Sequence, residues 1–196
     1  MSRCSERTFT APRSVRSSLR VPSGIVVVVL STVGIAALVG TIFVQPVPRW
    51  VYNPSESVPT GWYRIDPAHR RHDSLRVGSV VLTRLPVEAA ILADKRNYLP
   101  IHIPLLKRVS AVAPQHVCIM DDQVHIDGVP VTTVLPVDRL GRSLPFWQSC
   151  RPLVKGELFL LSHSDPASFD SRYFGPVNVT EVIGVAHPVW HKGQSR

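Results

Sequence analysis

The sequence is poor in the features that usually announce cofactor chemistry. No glycine loop of the kind that cradles phosphates is present, no His-Glu-x-x-His spacing occurs among the eight histidines, and no cysteine pair stands at metal-ligand spacing. Nucleotide chemistry and a zinc centre are therefore not expected, and no cofactor is. Internal repeats and low-complexity segments are absent as well, which excludes a solenoid. Acidic residues are scarce: 14 against 22 basic ones, a formal charge of +8. Such a balance raises nucleic-acid binding, but the basic residues form no single stripe. Arg3, Arg7, Arg13, Arg16 and Arg20 cluster before an apolar run, and the rest are scattered. A basic flank beside a membrane segment accounts for the first group, and no nucleic-acid partner is expected.

That apolar run, Gly24 to Val44, carries no charge. As a helix it would reach roughly 31 Å, enough to cross a bilayer core. It is longer than the apolar core of a cleavable signal peptide, so it reads as an uncleaved anchor. Five arginines before it and only Arg49 soon after it place the N-terminus in the cytoplasm. Residues 1–23 then form a basic cytoplasmic tail, 24–44 a single transmembrane anchor in the bacterial inner membrane, and 45–196 one extracytoplasmic, periplasmic domain. The chain has only three cysteines. Cys4 falls on the cytoplasmic side; Cys118 and Cys150 fall in an oxidising compartment, where they either pair or remain two buried thiols.

Beyond the anchor the expected elements are short strands: Trp62–Ile65, Leu75–Thr83, Leu105–Ala113, Val117–Met120, Gln123–Ile126, Val129–Thr133, Glu157–Ser162 and Val179–Pro188. Most are bounded by Gly, Pro or Asp, and Asp127-Gly128 is a hairpin signal. Pro86 to Lys95 is the one good helical window. The fold class is mostly β and antiparallel, with a short helical insert.

Two stretches carry chemistry. Asn53-Pro-Ser-Glu-Ser-Val-Pro-Thr-Gly-Trp-Tyr63 sets two serines between prolines, at most about 45 Å of extended chain beyond the anchor. Ser57 must then work near the membrane surface. A serine hydroxyl is a weak nucleophile unless a base takes its proton. In Pro104–Ala113, strand alternation puts Lys107 on one face with Leu105 and Val109, and Arg108 with Ser110 on the other. Loss of hydration there disfavours the ammonium and leaves an amine able to act as a base. A rival base is His163 within Ser162-His-Ser-Asp165, although adjacency in sequence says little about a triad.

With Ser168-Phe-Asp-Ser-Arg-Tyr-Phe-Gly-Pro176 these stretches resemble, in order, the signal peptidase I family, and within it the TraF-type conjugative-transfer peptidases, which the run Tyr98-Leu-Pro100 also resembles. Asn53, Ser55, Ser57, Pro59, Gly61 and Tyr63 fit that branch's pattern. The resemblance implies a signal-peptidase-like β domain with Ser57 as nucleophile and Lys107 as general base. Ser55 and the Ser57 N–H would form the oxyanion hole, Ser168 would orient Lys107, and Asp170 and Arg172 would form a supporting ion pair. It further implies a membrane-inserted precursor, a candidate pilin, as partner, and cleavage beside small residues, in some relatives followed by cyclisation. Val58 stands where the general enzymes have Met. Leu161–Pro166 replaces their Gly-Asp-Asn-Arg-Asp run and receives no role, and neither does Ser171. A general type I signal peptidase and a catalytically silent envelope assembly factor are the alternatives.

Overall fold

The structure, a computed structural model, describes residues 22–43, 49–68 and 75–191. The chain divides into two compact units, residues 1–46 and 47–196. In the first, helix α1 spans Ser23–Phe43; the basic tail expected before it lies, up to residue 21, outside the described residues. The side chains of 40–43 lie outside them too, and among the described residues no helix is long and apolar enough to cross a membrane.

The second unit is built from strands β1 (Trp50–Asn53), β2 (Gly61–Pro67), β3 (Val80–Thr83), β4 (Leu105–Val112), β5 (His116–Met120), β6 (Gln123–Ile126), β7 (Val129–Thr133), β8 (Cys150–Pro152), β9 (Glu157–Leu161), β10 (Val177–Asn178) and β11 (Val182–His191), with helices α2 (Val87–Lys95) and α3 (Ser171–Phe174). A seven-stranded sheet runs β1-β2-β11-β3-β4-β9-β10 and a four-stranded sheet runs β7-β6-β5-β8, all pairs antiparallel. The β6–β7 hairpin turns on Asp127 and Gly128, both at positive φ (50° and 81°), as a two-residue turn matched to the strand twist requires.

Several expected bounds shift. The strand expected from Leu75 begins only at Val80, and Val179–Glu181 is a turn of 3₁₀ helix ahead of β11. Strand β1 was not expected at all. Its prolines flank it rather than interrupt it, which spares its hydrogen-bonding positions. On β4 the simple two-face reading gives way: Leu106, Lys107, Val109, Ser110 and Ala111 are all buried, and the pairing with β9 slips between Val109 and Ala111. A strand in the middle of a covered sheet has no solvent face to alternate toward.

Three apolar clusters hold the domain. Val58, Tyr63, Ile65, Leu82 and Leu106 pack behind the Ser57 loop. Val81, Val109, Leu160 and Val177 fill another cluster. Val117, Val124, Phe159, Leu161 and Tyr173 join the small sheet to β9 and α3. Cys118 and Cys150, directly opposed on β5 and β8, form a disulfide. His116 is beside them, the one group of three potential metal donors among the described residues, but both sulfurs are committed to the bridge.

Candidate active site

Ser57 sits in the connection between β1 and β2, and its loop is shaped by Asn53, the last residue of β1. The buried Asn53 amide donates to the carbonyls of Ser55, Val58 and Pro59 (2.7, 3.0 and 3.3 Å), while its Oδ1 accepts from the Ser55 N–H and hydroxyl (3.2 and 2.8 Å). Tyr63, buried on β2, donates its hydroxyl to Pro59 O at 2.6 Å. A short side chain thus does the work of a turn, the behaviour that makes Asn common in such loops. Ser57 is 7% exposed and its Oγ lies 3.0 Å from Ser55 Oγ. Since the single Ser55 proton is directed at Asn53, Ser57 is the donor in that contact. Ser55 therefore does not present its proton to the cleft in this state, as the oxyanion-hole expectation requires it to do.

Lys107 is 2% exposed, and its Nζ donates to Ser168 Oγ. Burial lowers its pKa from 10.5 to about 8; the Asp170 and Asp165 carboxylates oppose that shift, and Arg172 adds to it. The residue that holds the amine is itself held. Arg172, fully buried, donates to both oxygens of Asp170 (2.8 and 2.9 Å) and to the carbonyls of Thr133, Pro166 and Ser168 (2.9, 2.9 and 3.0 Å). Asp170 also accepts from the Ser162 N–H and caps α3 at the Arg172 N–H. Every donor of the guanidinium side is spent, which is the condition for tolerating a buried ion pair.

Ser55, Ser57, Lys107 and Ser168 line one cleft of about 520 Å³. No hydrogen bond joins Lys107 to Ser57; each hydroxyl or amine rests on a neighbouring serine. Catalytic contacts in unliganded sites are commonly long and tighten around substrate. The far wall of the cleft includes Tyr98, whose hydroxyl donates to Asp138, with Arg142 on the same carboxylate at 2.6 Å. Desolvation pushes the Asp138 pKa up, but bonds from Tyr98, Arg142 and Leu140 hold it well below the usual carboxylate range. Of this wall only Tyr98 falls in a stretch of family resemblance, and no role was expected for it; Asp138 and Arg142 belong to no motif. His163 is exposed and does not line the cleft, so it is not placed to serve Ser57. Ser171 proves structural: its buried hydroxyl accepts from the Leu160 N–H at 3.0 Å.

A model of the signal peptidase, peptidase S26 family matches residues 23–190. A plasmid transfer protein TraF of Escherichia coli is 38% identical over 88 residues, 43% of this chain, and the match spans about half (49%) of that protein's length. A conjugal transfer protein TraF of Agrobacterium fabrum is 35% identical over 174 residues, covering 83% of this chain and 95% of that one. The crystal structure of a signal peptidase I from Enterococcus faecalis V583 overlaps with a TM-score of 0.36 at 21% identity, over 57% of this chain and 96% of that one; so slight an overlap carries no argument.

Proposed function

This chain belongs to the signal peptidase S26 family, and from that premise we propose that it is a membrane-anchored serine endopeptidase of conjugative transfer that removes the leader of an exported precursor. The observation that carries this reading is the convergence of Ser57, Lys107 and Ser168 on one cleft, with burial bringing the lysine to about 8. The Lys107 amine takes the Ser57 proton as Oγ attacks the scissile carbonyl. The resulting oxyanion is met by the Ser57 N–H and by Ser55 once its hydroxyl turns from Asn53. Collapse expels the leaving amine, which takes its proton from Lys107, and leaves an acyl ester on Ser57. Water resolves the ester. Where the scissile bond lies near the precursor's C-terminus, the segment esterified to Ser57 is the mature one and a short C-terminal peptide leaves as the amine; attack by the mature segment's own N-terminal amine then frees Ser57 and closes a ring.

The uncharged helix α1 and the five arginines before it favour an anchor in the inner membrane, with residues 45–196 on the periplasmic side. A candidate pilin precursor is the substrate this placement suits, because its scissile bond would also lie close to the bilayer. Mass spectrometry of such a precursor, co-expressed with the wild-type chain or with Ser57→Ala or Lys107→Ala, tests the proposal. Expected are a linear product or a circular one lighter by one water with the wild type, and uncut precursor with either variant. Processing that persists in both variants would instead make the chain a silent assembly factor.

A further inference from the structure

We propose that Ser164, in the stretch to which family resemblance assigns no role, positions the oxyanion-binding amide of Ser57. The proposal rests on the peptidase reading above. Ser164 is exposed on the loop between β9 and α3, and its hydroxyl donates to the carbonyl oxygen of Glu56, 108 residues away in sequence. Among the described residues it is the only hydrogen bond between that loop and the loop that carries Ser57.

The bonded oxygen belongs to the same peptide unit as the Ser57 N–H. The one cis peptide bond among the described residues is Ala113-Pro114, so the Glu56-Ser57 unit is trans, with its carbonyl and N–H pointing in opposite directions. Holding the oxygen on Ser164 turns the N–H away from Ser164. Among the described residues that N–H meets no protein acceptor, which leaves it available for a developing oxyanion. A donor on the carbonyl also polarises the unit and strengthens the N–H as a donor. Four residues further along the same loop, Ser168 holds the Lys107 amine, and Arg172 fixes the backbone between them through the Pro166 and Ser168 carbonyls. One loop thereby sets the oxyanion donor through Ser164 and the base through Ser168, and keeps the two in register.

The test is steady-state cleavage, by the full-length chain in detergent, of a fluorogenic peptide with alanine on the acyl side of the scissile bond. Wild type is compared with Ser164→Ala, Ser164→Thr and Ser57→Ala. For Ser164→Ala, kcat is expected to fall roughly ten- to a hundredfold with KM unchanged, because the bond acts only where the oxyanion forms. The pH midpoint of the rising limb should not move, since the Lys107–Ser168 contact is untouched, and Ser164→Thr should restore most of the rate. Binding of a peptide aldehyde, which forms an oxyanion, should weaken by the same factor as kcat/KM. An unchanged kcat, a displaced pH midpoint or no recovery with Thr overturns the role of Ser164. Cleavage by wild type and Ser57→Ala alike, or by neither, instead overturns the peptidase reading on which it rests.

Discussion

The two loops that meet at the cleft are held in different ways. Pro54–Thr60 is fixed from within, by a neutral amide at the end of its own strand reaching carbonyls two to six residues on. The Ser162–Asp170 loop is fixed from below, by a buried guanidinium that also reaches Thr133 O, 39 residues away. The first device is local and uncharged, so losing it loosens one turn. The second is charged, fully desolvated and shared between segments, so losing it strands a carboxylate. The proposed nucleophile is thus held mainly by its own turn, and the proposed base by contacts drawn from distant segments.

The sharpest way to break this contrast is Arg172→Met. It leaves Asp170 buried without its partner, a situation that costs about 3–5 kcal/mol, and it frees three carbonyls as well. Urea denaturation should show the lower midpoint, and precursor processing should vanish with it. Asn53→Ala should divide the two properties. It removes a buried amide whose loss costs stability on the order of 1–3 kcal/mol, yet a misplaced nucleophile can cost about a hundredfold in rate. The variant is expected to stay folded at ambient temperature while kcat collapses. Equal stability losses in the two variants would erase the distinction between a local and a global clamp.

The same contrast decides what was legible in the sequence. The antiparallel strands and the Asp127-Gly128 turn follow from pattern and turn chemistry alone, and Ser57 stands in a contiguous motif. Lys107 could be placed on a strand, but not in a strand buried on both faces, because Leu106 and Val109 enter two separate clusters whose members come from distant parts of the chain. Asn53 carried a signal that was available: an Asn at a strand end, two residues before a serine, is the residue that builds a side-chain turn. Arg172 was named only through family resemblance, since nothing near it in sequence points to Thr133. Tyr98 stands in a run that fits the family resemblance, but nothing in the sequence joins it to Asp138, 40 residues on, or to Arg142, so the wall of the cleft had no signature as a unit.

The smallest expected effect concerns charge around the amine. With its folded pKa brought down to about 8, Lys107 is protonated below that value and free above it, so kcat/KM should rise as pH passes through it. Stability follows the same sign: between about pH 8 and 10.5 the unfolded chain holds a proton that the folded one does not, so stability grows with pH across that window and is diminished below it. Asp165 supports the ammonium form from the rim of the cleft, less strongly than Asp170. Asp165→Asn keeps the shape of the side chain but removes that support, so the rising limb should move to lower pH. Being partly exposed, Asp165 is screened, and added salt should shrink the displacement. A limb that stays in place, or moves upward, would mean that the base is set by the buried clamp alone and that the rim carboxylate plays no part in tuning it.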